Sequence, residues 1–196
     1  MMPGMTEPPA AAPDHAALAR GLAGGCFVEA GLQVSAHFQA AVAVGGLGAA
    51  LRTGTAHALP LASQLVAAAV ARWHLSEECR RRLDIVLHEA IANAILHGNL
   101  AIGPTPGLAE RFARIDARLA EPDRAARPVE VTLCPRPGGV AVTVADAGEG
   151  FDLAASLGRT AAPEAQSGRG LALIQAVAQS LSAEEDGRRL CISVPI

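Results

Sequence analysis

The sequence contains no lysine, and all 16 of its Lys+Arg residues are arginines. A Walker A loop needs Gly-Lys-Ser/Thr, and an ordinary protein kinase needs a strand lysine that contacts the phosphates. Both classes are therefore excluded. Any nucleotide bound by this chain must be held by backbone amides, arginine and a metal ion.

Aromatic residues and positive charge are also scarce. Aromatics make up 3% of the 196 residues and the net charge is -3, which argues against nucleic acid as the main partner. The longest apolar run, residues 40–51, is too short and too glycine-rich to span a bilayer, and no basic residue precedes Arg20. We therefore expect no membrane span and no signal peptide. The four cysteines lack metal-ligand spacing, which favours reduced thiols in a cytoplasmic protein.

The stretch from Leu83 to Asn99 predicts the main helix, which we expect to begin after the N-cap residue Ser76. Three polar residues, Glu89, Asn93 and His97, follow at four-residue steps and share one face. A carboxylate can take a proton or orient a hydroxyl, and a carboxamide oxygen suits Mg²⁺. The alternative is an ordinary solvated face. Beside these residues runs an apolar stripe made of Leu83, Val86, Leu87, Ala90 and Ala94.

Two glycine-containing motifs follow later in the chain. The first, Asp146-Ala-Gly148-Glu-Gly150, comes directly after an alternating strand. A carboxylate there can accept a hydrogen bond from an exocyclic amine, and a glycine lets a flat ring lie against the backbone. The second, Ser167-Gly168-Arg169-Gly170-Leu171, opens an apolar helix whose amides can approach an anion. The plainer interpretations are a strand-to-turn Asp-Gly and an exposed loop arginine.

In this order, the three motifs resemble the ATPase superfamily of gyrase, heat-shock chaperone, histidine kinases and mismatch-repair proteins (GHKL). The resemblance runs from about Ala58 to Ile196. Within the superfamily, the run His97-Gly98-Asn99 and the later Gly-Arg-Gly-Leu are most similar to anti-sigma factor serine kinases. The resemblance implies the α/β histidine-kinase-like ATPase fold, a two-layer sandwich with a mixed, mostly antiparallel sheet and helices on one face. It also implies ATP and Mg²⁺, held between the main helix and a lid over residues 151–166.

The resemblance assigns a role to each motif residue. Glu89 would accept or orient the proton of an attacking hydroxyl, and Asn93 would hold Mg²⁺. His97 would lie near the phosphates or brace the end of the helix, and Asp146 would read the N6 amine of adenine. The remaining nucleotide-binding residues would be Gly148, Gly150, Gly168, Arg169, Gly170 and Leu171.

Two positions depart from the family pattern. Several relatives have Arg-Ser-Gly before the second glycine, whereas this chain has Gln166-Ser167-Gly168, and Arg159 is a candidate substitute for the basic residue. Many relatives have threonine after the last-strand glycine, where Arg188 stands here. The phosphate contact and the water-mediated adenine contact therefore remain open.

The N-terminal part predicts a tail and a small β region. Residues 1–20 are rich in proline and small side chains and predict a disordered tail. Alternation over Leu32–Phe38 predicts a half-buried strand, with residues 27–29 as its hairpin partner and another strand within 41–52. This β region, residues 21–57, would either complete the sheet or form a dimer edge.

The ATPase domain would span residues 58–196 and contain a helical insert at 104–127. Apolar residues recur at heptad-like spacing in the insert, at Leu108, Phe112, Ile115 and Leu119. The helix would either pack on its own domain or offer a docking surface to a partner.

The function implied by the resemblance is an ATP-dependent serine/threonine protein kinase of the anti-sigma factor type. It would phosphorylate a small regulatory antagonist protein in a partner-switching pathway and bind a sigma factor or a response regulator. We expect no nucleic acid or membrane partner, and a homodimer is left open. Three alternatives are an ATP-gated binding module without phosphotransfer, a detached histidine-kinase catalytic domain, and an α/β domain that has lost its nucleotide.

Overall fold

The structure is a computed structural model that describes residues 14–159 and 169–196. In chain order its helices are α1 (His15–Ala23), α2 (Ala36–Ala43), α3 (Thr53–Ala58), α4 (Leu61–Trp73), α5 (Glu77–Asn93), α6 (Leu108–Leu119), α7 (Pro122–Ala125), α8 (Leu153–Arg159) and α9 (Arg169–Val177). The strands are β1 (Cys26–Val28), β2 (Leu47–Arg52), β3 (Pro128–Arg136), β4 (Gly139–Asp146), β5 (Ser180–Glu184) and β6 (Arg189–Pro195). A π-helical segment, Ala94–Asn99, continues α5, and a 3₁₀ turn, Glu185–Gly187, joins β5 to β6.

The strands form one sheet in the order β1-β2-β3-β4-β6-β5. β1 runs parallel to β2, and the other neighbouring pairs are antiparallel. The register places Leu51 opposite Val129, and Val129 opposite Asp146. The predicted fold class, an α/β sandwich with a mixed and mostly antiparallel sheet, is confirmed.

The main helix packs its apolar stripe against the inward face of the sheet. Helices α4 and α9 contact α5 on that same side. Alternating strand residues such as Val140, Val142 and Val144 point toward these helices and are buried. The five predicted stripe residues are all buried: Leu83, Val86, Leu87, Ala90 and Ala94. Burying one such aliphatic side chain contributes roughly 1.5–3 kcal/mol, so this contact is a major part of the core.

Helix α2 lies over the opposite face, against β2 and β3, so the helices are not confined to one face as predicted. Gly48 makes this possible, since a Cβ built there would be 2.7 Å from the Phe38 ring. Within the described residues, no helix is long and apolar enough to cross a membrane.

The predicted disordered tail over residues 1–20 is wrong from His15 onward. The Asp14 side chain accepts a hydrogen bond from the Ala17 N–H at 2.7 Å and so caps α1. Leu18 and Leu22 are fully buried, and α1 packs on α4. A helix this short depends on such packing, which the local composition does not reveal. Residues 1–13 lie outside the part of the chain described.

The predicted strand over Leu32–Phe38 is also wrong, because Ser35 is the N-cap of α2. The Ser35 hydroxyl accepts from the Phe38 N–H at 3.2 Å and donates to Glu130 at 2.6 Å. Glu130 lies 95 residues further along the chain, so the alternation within residues 32–38 could not indicate this contact.

The hairpin predicted at residues 27–29 is wrong too, since β1 pairs in parallel with β2. Of the region 41–52, only Leu47–Arg52 is a strand. Both strands join the main sheet, the first of the two predicted alternatives, and the dimer edge stays a prediction. The strand β5, at the other edge of the sheet, was not predicted from the sequence.

The predicted helical insert at 104–127 contains α6 and α7. Ile115 is buried against the domain, whereas Leu108 and Phe112 are 72% and 61% exposed. The helix therefore packs on its own domain at one end, and partner docking at the other end stays a prediction.

Replacing the two serine caps should separate a local cap from a long-range one. Ser76→Ala removes the acceptor for the Cys79 N–H (3.2 Å) and should lower the free energy of unfolding by about 1 kcal/mol. Ser35→Ala also removes the hydrogen bond to Glu130 and should lower it by roughly 1 kcal/mol more. Urea unfolding of both variants measures the difference; equal losses would contradict the role of Glu130 in holding α2.

Candidate functional site

The main helix changes its winding where the predicted polar row continues. α5 ends at Asn93, and Ala94–Asn99 forms a π-helix, with the Leu100 N–H donating to the Ile95 carbonyl at 2.9 Å. Short π segments are rare and occur frequently at functional sites. Glu89 and Asn93 thus lie on the α-helical part, and His97 lies on the π-helical part.

His97 contacts the loop that follows the helix. Its Nδ1 lies 2.7 Å from the carbonyl oxygen of Ile102, and its side chain is exposed. This contact braces the end of the helix, one of the two roles considered for His97.

Glu89 and Asn93 meet the start of α9. A Cβ built on Gly170 would lie 2.5 Å from Oε2 of Glu89 and 3.5 Å from both amide atoms of Asn93. The backbone of α9 therefore reaches these side chains only because residue 170 is glycine. The arrangement brings a carboxylate and a carboxamide to a helix N-terminus, where the partial charge is positive.

The Asn93 carboxamide has an unsatisfied donor. Its Nδ2 is buried and has no hydrogen-bond partner within the described residues. An unpaired buried polar group costs roughly 1–3 kcal/mol, so native proteins keep few of them without a reason. The unpaired Nδ2 fits a site where a polar ligand accepts its hydrogen bond. The oxygen of the same carboxamide is of the type that Mg²⁺ prefers.

Asp146 is the last residue of β4 and follows the buried residues Val140, Val142 and Val144 on the same face of the strand. Its carboxylate lies against the π-helical segment. A Cβ on Gly98 would penetrate the Asp146 carboxylate, and a Cβ on Gly148 would lie 2.5 Å from the Gly98 carbonyl oxygen. The Gly148 N–H donates to Oδ1 of Asp146 at 2.8 Å. The end of the main helix and the Asp146 motif are therefore in direct contact.

Burial also changes the acidity of Asp146. Desolvation raises the pKa of its carboxyl from 3.8 to about 6, although the Gly148 N–H, Arg188 and Arg127 oppose the rise by favouring the charged form. A carboxyl with this pKa is mostly ionised at neutral pH and still able to accept a hydrogen bond from an amine.

Gly150 allows the loop after Asp146 to pack closely against the backbone of the 3₁₀ turn. It has φ +78°, and a Cβ there would clash with the Asp186 carbonyl. Gly187, with φ +89°, meets Phe151 in the same way. These contacts fix the loop after Asp146 against the 3₁₀ turn.

Asn99 is a site-forming residue whose role was not predicted from the sequence, where it only ends the run His97-Gly98-Asn99. It is fully buried, and its Oδ1 accepts from the Ala147 N–H at 2.8 Å. An asparagine at the end of a helix is usually a cap, and nothing local pointed to a contact 48 residues away.

The remaining predicted residues are only partly described. Leu171 packs against the hydrophobic core. Gly168, and the side chains of Arg159 and Arg169, lie outside the described part of the chain. The predicted lid begins as α8, and residues 160–168 are not described.

A cavity of about 600 Å³ opens beside the start of the lid, between α8 and the 3₁₀ turn. Phe151, Leu153 and Leu157 form its apolar lining. Its carboxylates, Asp152 and Glu184–Asp186, would repel a polyphosphate. The cavity is therefore separate in chemistry from the site around Asn93 and Asp146.

Comparison with known proteins gives one family match. Residues 107–194 match the family model of the histidine kinase-like ATPase domain, which is slightly less than half of the chain. The match contains the Asp146 loop and α9 but begins after the main helix. No curated protein matches the chain. The match supports a GHKL-type ATPase, in agreement with the observed fold, and such a domain implies ATP binding.

The raised pKa of Asp146 predicts a pH dependence of stability. The folded protein binds this proton more tightly than the unfolded chain, so stability falls as pH rises from about 4 to about 6. Between pH 4 and pH 6 the wild type should lose about 2 kcal/mol relative to Asp146→Asn, whose side chain does not titrate. Urea unfolding at several pH values measures this difference. Asp116→Asn, an exposed control, should keep the wild-type dependence, and parallel curves for wild type and Asp146→Asn would refute the shift.

Proposed function

We propose that this chain is an ATP-dependent serine/threonine protein kinase of the anti-sigma factor type. The observation that carries the proposal is that Glu89 and Asn93 meet the start of α9, with the Nδ2 of Asn93 unpaired among the described residues. A binding site alone needs no carboxylate beside the phosphate position, whereas a phosphotransferase uses one.

In this proposal ATP lies along the main helix, with its base at Asp146 and its phosphates toward Gly170. Oδ1 of Asp146 is already bonded to Gly148, so Oδ2 would accept from the N6 amine of adenine. Asn93 would hold Mg²⁺, which supplies charge neutralisation for the phosphates. The N–H groups of the first turn of α9 would donate to phosphate oxygens.

Glu89 would orient the attacking hydroxyl and accept its proton. It lies one helical turn before Asn93 on the same face, so the base and the metal ligand are rigidly spaced. The acceptor would be a serine or threonine of a small regulatory protein, in a pathway where the chain also binds a sigma factor or a response regulator.

A second candidate is an ATP-gated binding module without transfer. The observation that favours it is Gln166, which stands where several relatives carry the basic residue of the lid. Such a module would keep ATP affinity and sequester its partner without modifying it.

ATP affinity tests the binding half of the proposal. The wild type should bind ATP saturably, and removal of Mg²⁺ should weaken binding. Asp146→Asn should weaken it by about tenfold or more, because an amide group would then face the adenine amine. Calorimetric titration measures all three, with Asp116→Asn on the exposed insert as the control. A wild type that does not bind ATP would overturn the proposal.

Glu89→Gln separates the kinase from the binding module. Loss of the carboxylate should lower phosphotransfer by roughly 100-fold while ATP affinity stays within about twofold. Glu78→Gln, an exposed position on the same helix, should retain activity. Transfer of labelled phosphate to candidate partner proteins gives the rate. Transfer that is equal in wild type and Glu89→Gln would remove Glu89 from the mechanism, and no transfer by the wild type to any partner would favour the module.

A further inference from the structure

The Asn99 carboxamide is bonded on both sides. Its Nδ2 donates to the Thr53 hydroxyl at 2.8 Å and to the Pro128 carbonyl at 2.9 Å. Its Oδ1 accepts from the Ala147 N–H at 2.8 Å. Both amide hydrogens are therefore used, and one buried side chain joins α3, the start of β3 and the loop after β4.

The bond to Ala147 acts on the predicted base-reading loop. Ala147 stands between Asp146 and Gly148, so holding its N–H fixes the peptide that follows Asp146. Gly148 in turn donates to Oδ1 of Asp146, while Oδ2 accepts no hydrogen bond from any described residue. These two hydrogen bonds hold the loop in one conformation. Oδ1 of Asp146 is used within the loop, and Oδ2 is left to accept from a ligand.

The Asn99 backbone ties the same point to the helical insert. Its carbonyl oxygen accepts from Arg124 at 3.1 Å and from Arg127 at 3.0 Å. Two guanidinium donors on one carbonyl restrict movement of the π-helix end. Asn99 therefore has five polar contacts, which hold it rigidly while it supports the loop.

We propose that Asn99 is a positioning residue for base recognition, holding the Asp146–Gly148 loop so that Oδ2 of Asp146 meets the exocyclic amine of a purine nucleotide. This inference rests on the proposed function, since it requires a nucleotide whose base lies at Asp146. It adds a determinant of base choice that does not itself touch the base. A residue with a purely structural role would change stability and leave the preference between bases unaltered.

The ratio of ATP to ITP affinity tests the inference, because ITP carries an oxygen where ATP carries the amine. The wild type should prefer ATP, and Asn99→Ala should lower that preference by about tenfold as the loop loosens. Asp146→Asn gives the ATP to ITP affinity ratio that remains when the carboxylate itself is lost. Thr55→Ala is the matched control: it removes another α3 hydrogen bond, to Glu29 at 3.1 Å, and should leave the ratio unchanged.

Hydrogen exchange of the Ala147 amide in the wild type supplies a second measurement that does not depend on a variant's folding. We expect strong protection before any ligand is added. Exchange at the rate of an open loop would overturn the inference, as would an unchanged ATP to ITP ratio in Asn99→Ala. If the wild type fails to bind ATP, the proposed function fails and the inference fails with it. If it binds ATP with equal preference for ITP, the inference alone fails.

Discussion

The end of the main helix and the end of strand β4 meet with no space for a side chain between them. Gly98 contacts the Asp146 carboxylate, and Gly148 contacts the Gly98 carbonyl. This steric constraint fixes the position of the helix along the strand. Since a helix is rigid over a few turns, it also fixes how far Glu89 and Asn93 lie from Asp146. The spacing between the two halves of the site therefore depends on a contact between backbone groups.

Two asparagines at the end of the main helix differ in their hydrogen bonding, and the difference distinguishes a structural residue from a candidate ligand-binding residue. Asn99 is buried with both amide hydrogens bonded, so it stabilises the fold around it. Asn93 has a buried Nδ2 that finds no partner among residues 14–159 and 169–196. Burying such a group costs free energy, which fits a position where a ligand completes its hydrogen bonding.

Prediction from the sequence succeeded where the regular spacing of apolar residues along one element determined its structure. The stripe of α5 and the alternation of β4 have one buried face each, and Asp146 was expected where that strand ends. Prediction failed where distant residues decided. Ser35 caps a helix with the help of Glu130, and Asn99 is satisfied by Thr53 and Ala147, none of which is near in sequence. The π winding was also hidden, because one extra residue per turn leaves the same face apolar over so short a segment.

The pairing of β2 with β3 has a consequence for synthesis of the chain. Thr53 donates to the carbonyl of Arg127, a contact that spans 74 residues. At roughly 5–20 residues per second, β1 and β2 would leave the ribosome about 4–15 s before the strand that covers their open side. During that interval the exposed edge of β2 is a template for pairing with other chains. The time at which β3 is synthesised therefore sets how long this edge stays unpaired.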